Sequence, residues 1–104
     1  MKSLMKVQES LAEHKPKRFI FWTENQPGDN LADPCRLQLS FTEIVVSPPT
    51  GQVCLRNNDK NSIYFVGVED AWYDKDASPL GDVITLLCTV DGQEMPQVYR
   101  IIAQ

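Results

Sequence analysis

One stretch of this chain concentrates residue types that do chemistry. Val68 to Asp76, VEDAWYDKD, puts four acids, two large aromatics and a lysine into nine positions. Carboxylates this dense suggest a metal site or acid–base work, whereas Trp and Tyr are the side chains that carry binding energy at interfaces. The metal reading can be tested on spacing. Asp74, Asp76 and Ser78 stand at the first, third and fifth positions of a calcium loop, but the sixth, where Gly is required, is Pro79. The locked φ of Pro79 forbids that sharp turn. The twelfth position, a bidentate Glu in such loops, is Thr85. No metal site is assigned.

Catalytic companions for these acids are sparse. The chain has one histidine, His14, and three cysteines, Cys35, Cys54 and Cys88, with no C-x-x-C spacing. No G-x-S-x-G elbow and no phosphate-binding glycine loop occurs. No catalytic residue and no cofactor follows from the sequence. Each cysteine sits in an apolar or alternating segment, where a free thiol behaves as a small hydrophobe. An odd count without a disulfide framework favours a reducing compartment.

A second constellation, Lys15-Pro16-Lys17-Arg18 followed by Phe19, Phe21 and Trp22, has the basic-then-aromatic order that can track a phosphate backbone and stack bases. Two facts oppose it. The chain carries a net charge of −4 with a pI near 4.8, so its global field repels a polyanion. Alternation also splits the aromatics: Phe19 and Phe21 share one face and Trp22 takes the other with Ile20.

The elements that must position these residues read clearly in outline. Ser3 to His14 is amphipathic, with Leu4, Val7 and Leu11 at helical spacing, Ser3 as N-cap and Pro16 as the stop. From Lys17 onward the period becomes two. Arg18–Thr23 reads as a strand, and Cys35–Thr42 alternates cleanly, with Cys35, Leu37, Leu39 and Phe41 on one face. After Glu43 the apolar residues move to even positions, which predicts a β-bulge near Thr42–Glu43. Ser47-Pro48-Pro49-Thr50-Gly51 turns the chain into Gln52–Arg56, and Ser62–Val68 reads as a doubly covered strand in which Gly67 marks a bulge or close approach. VEDAWYDKD then reads as a strand end running into a turn at Ser78-Pro79-Leu80-Gly81. Asp91-Gly92 predicts a two-residue hairpin pairing Ile84 with Tyr99 and Cys88 with Met95.

The expectation is a single domain over residues 1–104, mainly β (α+β by content). It has a helix over 1–15 and antiparallel β structure over 17–104. The architecture is a curled antiparallel sheet or partly open barrel of about six strands with the N-terminal amphipathic helix packed on it. The function read from these residues is a non-enzymatic protein-binding or accessory module, with Trp72, Tyr73, Asp70, Asp74 and Trp22 facing an unknown protein partner. One alternative is a small enzyme or ligand carrier with a barrel-mouth pocket walled by Cys54 or Cys88 and by Glu69, Asp70 or Asp82. Another is single-stranded nucleic-acid binding through Lys15, Lys17, Arg18 and the strand to Trp22, against which the acidic balance argues. A homo-oligomer through an edge strand is compatible with such a fold. With no secretory leader pattern and no apolar run of membrane length, the expected setting is cytoplasmic, without membrane contact.

Overall fold

The computed structural model describes residues 2–22, 38–57, 61–89 and 96–104. Its fold is mainly β with one N-terminal helix. Helix α1 (Lys2–His14) buries Leu4 and Val7 and lays Leu11 against the core. Ser3, expected as the N-cap, falls inside the first turn instead. The stop is as the sequence requires: Lys15 adopts φ +50° and donates its N–H to the Leu11 carbonyl at 2.9 Å, and Pro16 follows. A left-handed residue at this place satisfies an orphan helix carbonyl.

Eight strands are described: β1 (Phe19–Trp22), β2 (Gln38–Phe41), β3 (Glu43–Ser47), β4 (Gln52–Arg56), β5 (Ser62–Phe65), β6 (Val68–Ser78), β7 (Gly81–Cys88) and β8 (Gln97–Ala103). They form an antiparallel five-stranded sheet of order β2-β1-β8-β7-β6 and an antiparallel three-stranded sheet, β3-β4-β5. The sheets do not close into a barrel. Helix α1 packs against β6 and β3 and so covers the opening between the two sheets. One core serves all three layers. Phe19, Phe21, Phe41, Leu55, Phe65, Ile84, Leu86 and Ile101 converge there with Leu4 and Val7. Each such side chain contributes roughly 1.5–3 kcal/mol by leaving water.

Both edges of the large sheet bend into the small one. The phase change at Thr42–Glu43, expected as a bulge within one strand, is the first corner: β2 ends at Phe41 and β3 starts in the other sheet at Glu43. The Asn57 amide closes this corner by acting as a surrogate peptide. Its Nδ2 donates to the Ser40 carbonyl at 2.8 Å, and its Oδ1 accepts the Thr42 N–H at 3.0 Å. The second corner is Gly67, which divides the expected Ser62–Val68 strand into the end of β5 and the start of β6. Gly67 has φ +65°, and a Cβ built there would sit 2.4 Å from the Thr89 carbonyl oxygen. The close approach expected at that glycine is therefore present.

The β7–β8 register differs from the expected one. Cys88 pairs with Gln97 and Ile84 with Ile101, two residues beyond the pairing that an Asp91-Gly92 turn would give. A slip of two preserves the face, so Ile84, Leu86, Cys88 and Tyr99 still share a side. The turn itself lies outside the described residues, as do Thr23 to Leu37.

Candidate functional site

VEDAWYDKD is neither a strand end nor a turn. It forms most of β6, the longest strand described and an edge of the five-stranded sheet. Four of its nine residues are acids, which disfavour strands, but Val68, Trp72 and Tyr73 favour them and the apolar β7 lies alongside. Pairing runs from Val68↔Cys88 through Trp72↔Thr85 to Asp74↔Val83. Two irregularities shape it: one at Glu69, between Val68 and Asp70, and a wider one between Asp74 and Ser78. The first rephases the strand so that Val68, Ala71 and Tyr73 face the core while Asp70, Trp72 and Asp74 face outward.

The inward side is a pinned junction. The Tyr73 ring stacks on the His14 imidazole with centroids 5.4 Å apart and planes 14° from parallel. Its hydroxyl donates to Asp82 Oδ2 at 2.5 Å. The other oxygen, Oδ1, accepts the N–H of Asp76 at 2.9 Å, and Asp76 holds φ +54° within the wide irregularity. One carboxylate thus fixes the helix end, the aromatic ring and the strand kink together. The hydrogen bonds from Tyr73 and Asp76 hold the Asp82 carboxyl below its usual range, with the charges of His14 and Lys75 assisting. Desolvation first, then the bond to Asp82 and the negative charges of Asp82 and Asp76, push the Tyr73 phenol upward. Both groups are engaged in these bonds, which tie the strand kink to the start of β7.

The outward side is a sheet face. Ladder pairing places Trp72 beside Thr85 and then Arg100, Asp70 beside Leu87 and then Val98, and Asp74 beside Val83, Ile102 and Ile20. Ile20 and Ile102 are buried although they lie on the face opposite the core, and Val83 and Leu87 are half-buried. Trp72 is 45% exposed and Val98 39% exposed. Asp70 turns one oxygen, Oδ1, back to accept the Ala71 N–H at 2.9 Å. Asp74 is exposed.

The other residues singled out from sequence are scattered. Trp22 ends β1; its side chain lies outside the described residues. Lys15 and Lys17 are exposed on the link from helix to β1, and Arg18 Nε donates to Ser40 Oγ at 2.9 Å. Phe19 and Phe21 are core and offer no ring for base stacking. Cys88 is buried in the core, with its thiol pushed up by desolvation, whereas Cys54 is half-buried on the outer face of the small sheet between Val45 and Tyr64. Cys35 lies outside the described residues. Glu69 is exposed at the first irregularity, and Asp82 serves the Tyr73 junction. Among the described residues no group of three or more His, Cys, Asp or Glu is placed to hold a metal ion. No described helix is long and apolar enough to cross a membrane.

Sequence reasoning missed the Tyr73–Asp82–His14 junction and the Asn57 surrogate. The nine-residue spacing from Tyr73 to Asp82 is a hairpin signature only once Ser78-Pro79-Leu80-Gly81 is known to join two paired strands. Compared with family models, curated proteins and solved structures, the chain matches none.

Proposed function

We propose that this protein is a non-enzymatic binding module that docks a protein partner on the outer face of its five-stranded sheet, centred on Trp72. One observation carries the reading: Trp72 stands outward and 45% exposed, while the adjacent Tyr73 is turned inward and pinned. The strand thereby presents a large aromatic side chain to solvent, with half-buried Val83 and Leu87 on either side of its partner Thr85 and exposed Val98 one strand further, in the row of Asp70. Exposed apolar patches rimmed by polar residues mark interaction sites, and Trp is among the side chains enriched at their energetic centres. Of the residues first grouped as partner-binding, Trp72, Asp70 and Asp74 belong to this face, and Tyr73 supports it from behind.

Homo-oligomerisation by strand addition at β6 fits this edge poorly. Two irregularities distort it, acids line it, and Asp70 occupies the Ala71 N–H, all devices that discourage edge pairing.

The test uses the wild-type chain and Trp72→Ala side by side as immobilised bait. Because Trp72 is half exposed, the variant keeps its fold, shown by an unchanged circular dichroism spectrum and a small shift in Tm. A partner retained by wild type and lost from the variant supports the reading. Equal retention by both, with the variant folded, refutes it.

A further inference from the structure

Resting on the reading of Trp72 as the docking centre, we infer that the partner presents a cationic side chain, Arg or Lys, that seats over the Trp72 indole between Asp70 and Asp74. Charge distribution carries this inference. The whole chain has 14 acids and 10 Lys and Arg, a net −4. Glu69, Asp70, Asp74 and Asp76 against Lys75 give −3 within residues 69–76, so the rest of the chain supplies only −1. Nearly all the net negative charge therefore lies along the strand that displays the exposed tryptophan.

Geometry makes the arrangement specific. Residues two apart on a strand stand about 6.5–7 Å from each other on one face, so Asp70 and Asp74 flank the ring along the strand axis. A cation over an exposed indole face gains roughly twofold to fivefold in affinity, and Trp is the best such platform. Flanking carboxylates add to that gain and repel an acidic competitor. The local positive charges do not reverse the field: Lys75 lies between Asp74 and Asp76, and Arg100 stands two strands from Trp72 and is already engaged. The approach is onto the face. Asp70 holds the Ala71 N–H on the edge strand, so recognition is by side chains rather than by a main-chain ladder.

The experiment titrates the full 15N-labelled chain with three peptides of equal length and apolar content, bearing Arg, Gln or Glu at the variable positions. The Arg peptide is expected to shift amides of Asp70 to Asp74, Thr85 to Leu87 and Val98 to Arg100. Its binding should weaken about tenfold in Trp72→Ala, severalfold in Asp70→Asn with Asp74→Asn, and again as salt is raised. The Glu peptide is expected not to bind. Equal, Trp72-dependent binding of the Arg and Gln peptides overturns the cationic partner while leaving the docking face standing. An Arg peptide that fails to bind, or binds Trp72→Ala unchanged, also overturns it. The docking reading itself falls only on the bait comparison above.

Discussion

Two glycines with the same backbone conformation offer an internally controlled test of how β6 is launched. Gly51 has φ +64° and Gly67 has φ +65°. Both carry a carbonyl that accepts a cross-corner hydrogen bond, from Val68 N at 3.1 Å and from Thr89 N at 2.9 Å respectively. They differ in what surrounds them. A Cβ at Gly51 would meet its nearest atom, the Val68 carbonyl oxygen, at 3.4 Å, an ordinary contact. A Cβ at Gly67 would lie 2.4 Å from the Thr89 carbonyl oxygen, and backbone cannot swing aside as a side chain would. Gly51→Ala therefore incurs the left-handed penalty alone, about 1 kcal/mol. Gly67→Ala incurs that penalty, about 1 kcal/mol for the weakened Thr89–Gly67 hydrogen bond, and about 1–2 kcal/mol of overpacking. The total is roughly 3–4 kcal/mol. At about 4–8 °C per kcal/mol for a domain of this size, Gly51→Ala lowers Tm by about 5 °C and Gly67→Ala by at least 12 °C or so. Urea unfolding followed by circular dichroism, with thermal melts in parallel, measures both. If the two variants agree within about 0.5 kcal/mol, the close approach at the second corner does not constrain the fold and the reasoning fails.

Three further outcomes follow from the junctions described above. Tyr73→Phe should cost about 1 kcal/mol, the usual worth of a bond to a charged acceptor reduced by solvent screening. It should also flatten the acid limb. The depressed Asp82 carboxyl contributes stability that is present above its unfolded value near 3.9 and lost as pH falls through its lower folded value. Identical acid limbs for wild type and variant in urea titrations below about pH 5 would contradict that linkage. In native-state alkylation read by peptide mass spectrometry, Cys54 should label well before Cys88, because desolvation raises the Cys88 thiol and the core covers it; equal rates would mean the core opens locally. Asn57→Ala should lower stability by about 1 kcal/mol and speed amide exchange at Thr42, whose N–H is shared between Asn57 Oδ1 at 3.0 Å and the Arg56 carbonyl at 3.3 Å. Unchanged exchange there would remove Asn57 as the closure of the first corner.

Much of the fold was legible because burial on one face writes a period into the sequence. Phe19 and Phe21 point inward and Ile20 to the opposite face, as alternation requires, and Pro16 ends the helix where it must. What misled was wherever distant chain decided the outcome. A phase change at Thr42 looks the same in sequence whether the strand bulges or leaves its sheet, and what distinguishes them is distant chain: β4, which pairs with Glu43 onward, and Asn57, fifteen residues on, which bonds across the corner. The acids of VEDAWYDKD argue for a turn, yet pairing with β7 made them strand. The orientation of Trp72 and Tyr73, open in the sequence, depends on the single extra residue Glu69: without that rephasing the two rings exchange faces. Asp91-Gly92 suggests a tight hairpin, but the ladder pairs Ile84 with Ile101, two residues beyond it; a slip of two keeps the same side chains on the core face, so the alternating pattern does not distinguish the two registers.

The strand order carries a kinetic consequence. The ladders β3-β4-β5 and β6-β7-β8 join neighbours in sequence, whereas β1 sits beside β8, with Phe19 opposite Ala103. Local meanders close cheaply, and a ladder spanning most of the chain pays its loop entropy before any contact rewards it. On that ground the β1–β2 pair is expected to dock late. Until it does, β8 offers a bare hydrogen-bonding edge flanked by Ile101 and Ile102, both buried in the finished fold. The hazard of this architecture lies at that transient seam in mid-assembly, and the acid-lined β6 border gives it no protection.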